Sequence, residues 1–162
     1  MGRTRSAISG VALSVLFALG ACSRPADPVV AVPGRHHHHP PHMGTPIELG
    51  QDEYHVELVL DPESGMLQAY VLDSEMENFV RSSAASIAIR ATVGGKEETL
   101  VLNAVANPET GETIGDTALF QAPAGWVKAA GSFDAVLSGV TIRGTPFTDV
   151  KFNFPKGNDT DG

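Results

Sequence analysis

Beyond residue 44, apolar and polar side chains alternate along most of the chain. Tyr54, Val56, Leu58 and Leu60 share one face of an extended segment, and His55, Glu57, Val59 and Asp61 share the other, because successive strand side chains point to opposite sides. Asp61-Pro62-Glu63-Ser64-Gly65 supplies a turn, and residues 66–72 return with Leu67, Ala69 and Val71 inward. Pairing Asp61 with Met66 sets Glu57 against Tyr70 and His55 against Leu72. Residues 44–49 form a preceding strand. A turn over 50–53 then sets Glu48 opposite His55 and brings His42 and Met43 alongside residues 57–61.

The remainder keeps the same rhythm. Residues 75–83 form an irregular crossover. Ile87, Ile89, Ala91 and Val93 alternate up to a Gly94-Gly95 turn, and residues 97–105 run back with Leu100, Leu102 and Ala104 inward. Residues 119–121 read as a short strand and 125–130 as one helical turn around Trp126. Residues 133–138 lead into 140–142, and in 147–154 Val150, Phe152 and Phe154 share a face. Turn signals spaced this closely, with no long amphipathic stretch, predict an all-β fold: a small antiparallel β-sandwich of about 7–9 strands with at most one short helix.

Composition agrees. The 162 residues suit one domain, and 17 Gly with 11 Pro are too many for a helical bundle. Eleven basic against 19 acidic residues give a net charge of −8, a field that disfavours nucleic acid as a partner. One cysteine excludes an internal disulfide framework.

That cysteine has another use. Arg3 and Arg5 precede an apolar, small-residue stretch over 6–20 that is too short to span a bilayer permanently, which reads as a signal peptide. The stretch ends in Leu19-Gly20-Ala21-Cys22, which resembles a bacterial lipobox and implies lipidation of Cys22 as the new N-terminus. Acyl chains contribute about 0.8 kcal/mol per buried methylene, so several hold a protein durably at a membrane. Ser23, where inner-membrane lipoproteins carry Asp, implies by the same resemblance an outer-membrane lipoprotein of the cell envelope facing the periplasm. The expected organisation is a signal peptide over 1–21, a lipid-anchored Pro/His-rich tether over 22–41, the β-domain over 42–156 and a frayed polar tail over 157–162. Pro25, Pro28 and Pro33 make the tether an extended spacer.

Residues 35–44 hold five of the six histidines: His36, His37, His38, His39 and His42. Neutral imidazoles ligate copper, zinc and nickel, and the adjacent Met43 adds a soft thioether that favours Cu(I). A flexible tract loses entropy when it closes on an ion, which predicts modest, promiscuous affinity. The competing reading is a solvated low-complexity linker; a run of four histidines inside a natural-looking leader is unlike a terminal tag. A more ordered station is offered by His42, Glu48, His55 and Glu57, which the strand pairing places on or beside one face, with His55 and Glu57 projecting the same way. The stronger reading of the same pair is solvated residues on the wet side of an edge hairpin, where they suppress sheet-to-sheet aggregation. Met66 and Met76 read as packing residues rather than copper ligands.

His42-Met43-Gly44, Tyr54-His55-Val56-Glu57-Leu58-Val59, Ala69-Tyr70-Val71-Leu72-Asp73 and the closing Phe152-Asn153-Phe154-Pro155-Lys156-Gly157-Asn158-Asp159 carry a resemblance. Over residues 41–159 the chain resembles uncharacterised envelope lipoproteins of planctomycete-like bacteria that open on Pro-His-Gly-Gly and carry a His-x-Glu strand. Over residues 41–73 it is similar to the His-rich N-terminal β-domain of heavy-metal efflux adaptors of the RND type, which implies metal capture through His42, His55 and Glu57. Met43 replaces the first glycine of the pair, and no adaptor hairpin or lipoyl-like segment is present, so the expectation is not a complete adaptor.

Catalysis is not expected. Outside the tract only His55 offers an imidazole, no serine sits in a nucleophile-elbow pattern, and nothing indicates an organic cofactor. Two functions remain: transition-metal binding or delivery, with Cu or Zn as the ion, and a structural or protein-interaction β-domain that docks an envelope protein and uses its histidines only as linker.

Overall fold

The computed structural model describes residues 39–158. Cys22, His36, His37 and His38, with the expected signal peptide and most of the tether, lie outside the described residues, as do positions 159–162. Eight strands and one short helix follow in the order β1 (Thr45–Leu49), β2 (Tyr54–Leu60), β3 (Met66–Asp73), β4 (Ser86–Val93), β5 (Lys96–Ala104), β6 (Leu119–Pro123), α1 (Gly125–Ala130), β7 (Phe133–Ile142) and β8 (Thr145–Phe154). The fold is all-β, as the alternation predicts.

The strands form one antiparallel sheet in the order β1-β2-β3-β6-β5-β4-β7-β8, nearly barrel-shaped, rather than two separate sheets. Its end strands β1 and β8 approach each other. The registers over the first hairpins match the sequence reading: Leu60 pairs with Leu67, Glu57 with Tyr70, His55 with Leu72, and Glu48 with His55. Ile47, Val56, Leu58, Leu67, Ala69 and Val71 enter the core from this side. Ile87, Ile89, Leu102, Phe120, Leu137 and Ile142 meet them from the other strands.

Residues 133–142 form one continuous strand. Along it the buried positions switch from Phe133, Ala135 and Leu137 to Val140 and Ile142, and β8 switches in step from Phe147 to Phe152 and Phe154. Asp149, at φ +53°, marks the switch in β8, and the β4–β7 register shifts between Ala88 and Ile89. Such irregularities bend strands, and here they bury Phe147, which a strict alternation counted back from Phe154 leaves outside.

Gly157 and Asn158, expected as part of a frayed tail, are held in place. Gly157 donates its N–H to the Asn153 carbonyl at 2.7 Å and accepts from Asn153 N at 2.9 Å. The Asn158 amide clamps the free edge of β1, accepting from Glu48 N at 2.7 Å and donating to the Glu48 carbonyl at 3.1 Å. Gly157 has φ +87°, and a Cβ there would strike the Pro46 carbonyl oxygen.

A backbone neighbour cannot swing aside, so Gly157→Ala is expected to cost about 2 kcal/mol or more. Gly111→Ala, at φ +71° with open space around it, is expected to cost only about 1 kcal/mol. Urea midpoints of the two variants check the difference.

Candidate metal centre

The tract meets the fold at a turn. Met43 N donates to the Pro40 carbonyl at 3.0 Å, and the chain then enters β1 alongside β2. Facing this turn from β2 is Glu57, whose side chain is fully buried. An uncompensated carboxylate in such a place costs several kcal/mol. Three donors from the incoming segment meet it: Oε1 accepts from His42 N at 2.9 Å and from Gly44 N at 2.8 Å, and Oε2 lies 2.7 Å from His42 Nδ1. Only glycine fits at position 44, since a Cβ would come within 2.5 Å of the Leu58 carbonyl oxygen and 2.9 Å of Glu57 Cγ.

With Glu57 as carboxylate, the short contact requires the proton on His42 Nδ1. In the neutral imidazole Nε2 is then the lone-pair nitrogen. The His42 side chain is 34% exposed. Its ring stacks on Tyr70 with centroids 4.1 Å apart and planes 15° apart, and Phe79 stands 6.0 Å away. Tyr70 is the register partner of Glu57 and donates its hydroxyl to Gln68 Oε1 at 3.2 Å. Burial raises the Tyr70 phenol pKa above its ordinary 10.0, and the negative charge of Glu57 raises it further.

His55 lies on the same face of β2 but is covered. It is 2% exposed, with Nδ1 3.3 Å from the Asp73 carbonyl and Nε2 3.6 Å from Asp52 Oδ1. Leu72, its register partner, and Met76 are buried as well. The Asp73 side chain holds the loop after β3. Burial alone would raise its pKa, but bonds from the Asn78 side chain and from the Asn78 and Glu77 N–H groups lower it overall.

The candidate residues therefore divide. The reading of His55 and Glu57 as solvated edge residues does not hold, because both are buried. Of the four-residue constellation, His42 and Glu57 meet directly, whereas the Glu48 carboxylate accepts from Asp52 N at 3.0 Å. Among the described residues no cluster of three or more His, Cys, Asp or Glu side chains comes together. Glu57 already accepts three bonds from its own chain, so its geometry suits the group behind a ligand rather than a ligand itself. His39 and Met43 are exposed at either side of the turn that holds His42, and the Met66 and Met76 side chains are half-buried and buried. Gly44, Tyr70 and Phe79 were not singled out from sequence. Tyr70 was within reach, since the hairpin pairing already set it against Glu57. Compared with known proteins, the chain matches no family model, no curated protein and no solved structure.

Glu57→Ala strands buried donors and is expected to lower stability by about 3 kcal/mol in denaturant titrations. The raised Tyr70 pKa has a definite sign. The folded state holds the phenol proton where the unfolded chain releases it, so the protein loses stability as pH rises above 10.0 toward the folded-state value. Tyr70→Phe is expected to flatten that alkaline loss in melts recorded across the same range.

Proposed function

We propose that this protein is a bacterial cell-envelope lipoprotein that captures transition-metal ions on the histidine tract between its lipid anchor and its β-domain. The anchor is Cys22, the tether is the proline-spaced segment after it, and the ligands come from His36, His37, His38, His39 and His42, with Met43 beside them. The observation that carries this reading is the 2.7 Å contact between Glu57 Oε2 and His42 Nδ1. Ligating histidines commonly donate their other ring N–H to a carboxylate, which sets the tautomer and raises ligand basicity, and loss of that partner typically costs about 10–100-fold in affinity. The tract thus includes one imidazole whose ring is already oriented and whose Nε2, in the neutral ring, is the nitrogen left to ligate. The remaining histidines add donors at an ordering cost.

His55 has a different part in this reading. At 2% exposure its ring would have to be uncovered before it met an ion, so it supports the β2–β3 face. A second reading, a protein-interaction domain, draws on the exposure of Phe79 at 57% and Ile114 at 60%.

Calorimetric titration of the full chain in detergent with Zn(II) and Cu(II) separates the two. Metal capture predicts stoichiometric binding tighter than about 1 mM, or about −4.1 kcal/mol. Changing His36, His37, His38 and His39 together to Ala is expected to weaken it strongly, and Glu57→Gln by about tenfold. His55→Ala is expected to leave it unchanged. Binding no tighter than millimolar by the unaltered chain removes the proposal and leaves the interaction module.

A further inference from the structure

The left-handed turn at Met43 lets His42 N and Gly44 N both reach Glu57 Oε1, a turn glycine would make at lower cost, so it is the methionine side chain that has no visible return. The φ of Met43 is +55°, a left-handed backbone conformation, and 93% of the residue is exposed. That conformation costs a side-chain-bearing residue about 1–2 kcal/mol relative to glycine. Met76 has the same φ of +55° but is 2% exposed, so the burial of its side chain offsets the backbone. Asp52 at φ +63° and Asp149 at φ +53° are of a residue type that tolerates the region. Arg143, at φ +49°, sits in the turn between β7 and β8 and keeps a charge in water. The Met43 side chain has neither packing nor solubility in return, and strain held at an exposed position is a pointer to function.

A thioether is distinguished from other apolar side chains by its sulfur, a soft donor that selects Cu(I) over harder ions. The turn closed by Met43 N on the Pro40 carbonyl, at 3.0 Å, puts Met43 at one end and His39 just before the other. Between them His42 has its Nδ1 committed to Glu57 at 2.7 Å, and its ring is shielded by Tyr70 at 4.1 Å. Resting on the metal-capture reading above, we infer that Met43 Sδ, His42 Nε2 and a His39 ring nitrogen form a cuprous-ion subsite of the tract. Zn(II), which has little use for a thioether, is held by the imidazoles alone.

The test uses the full chain in detergent, kept reduced, with Cu(I) affinity read by competition against a chromophoric chelator and Zn(II) affinity read the same way. Met43→Leu removes the sulfur and keeps an apolar side chain of similar size on the strained backbone. Met43→Gly removes sulfur and strain together. Both are expected to lower Cu(I) affinity by about tenfold or more and to leave Zn(II) within about twofold. Met43→Gly alone is expected to raise the thermal midpoint. In the unaltered chain, Cu(I) is expected to shift the Met43 εCH3 resonance and Zn(II) to leave it in place. If the unaltered chain binds both ions but Met43→Leu holds Cu(I) equally well, or the methyl resonance does not respond to Cu(I), the thioether subsite is overturned and tract capture stands. If the unaltered chain binds neither ion, both readings fall together.

Discussion

A carboxylate placed fully out of water has to be answered by fixed donors, and in this protein Glu57 is answered by the segment that leads in from the histidine tract. Two backbone N–H groups and one imidazole nitrogen converge on its two oxygens. The cost of leaving such a charge unpaired is several kcal/mol, which explains why the geometry admits so little freedom. Gly44 has no room for a side chain, the backbone at Met43 turns left-handed, and the His42 ring is trapped between Glu57 and Tyr70. The start of the domain is thereby set by one buried side chain on β2 rather than by the strand pairing of β1 alone.

The same first strand is secured on its other side. β1 would be an open edge, with unpaired N–H and C=O groups able to recruit another chain. The Asn158 side chain satisfies both backbone groups of Glu48, and Gly157 packs against the Pro46 carbonyl. Incoming and outgoing segments therefore converge on the five residues of β1. The turn over 40–43 is joined to the body through Glu57 on β2 and Tyr70 on β3.

Much of this was legible in the sequence, for identifiable reasons. The alternation from Tyr54 to Leu60 and the Asp61–Gly65 turn leave one register that buries Leu58, Leu67 and Ala69 together, and that register is the one observed. Gly94-Gly95 is an unambiguous hairpin signal, and the helix at Trp126 is short because Gly131, at φ +69°, follows it closely. Less legible was anything that depends on a register change within a strand. Phe147 and Phe152 lie five residues apart yet both face inward, and no count of alternation predicts that without the kink at Asp149. The docking of Gly157 and Asn158 was hidden for a similar reason: their partners lie about 110 positions earlier in the chain.

By itself, the sequence determined the all-β class, the hairpin registers, the crowding of imidazoles ahead of the domain, and the presence of His55 and Glu57 on one face. Each of these follows from local periodicity, turn chemistry or simple counting. Only the tertiary structure decided that the face is dry, that His55 is enclosed, and that Glu57 stands behind His42 instead of beside it. The physical reason is that burial is a property of what packs from elsewhere. A strand of alternating residues presents two faces, and its own sequence cannot say that the segment ahead of β1 will fold over the polar one and use its carboxylate as an anchor.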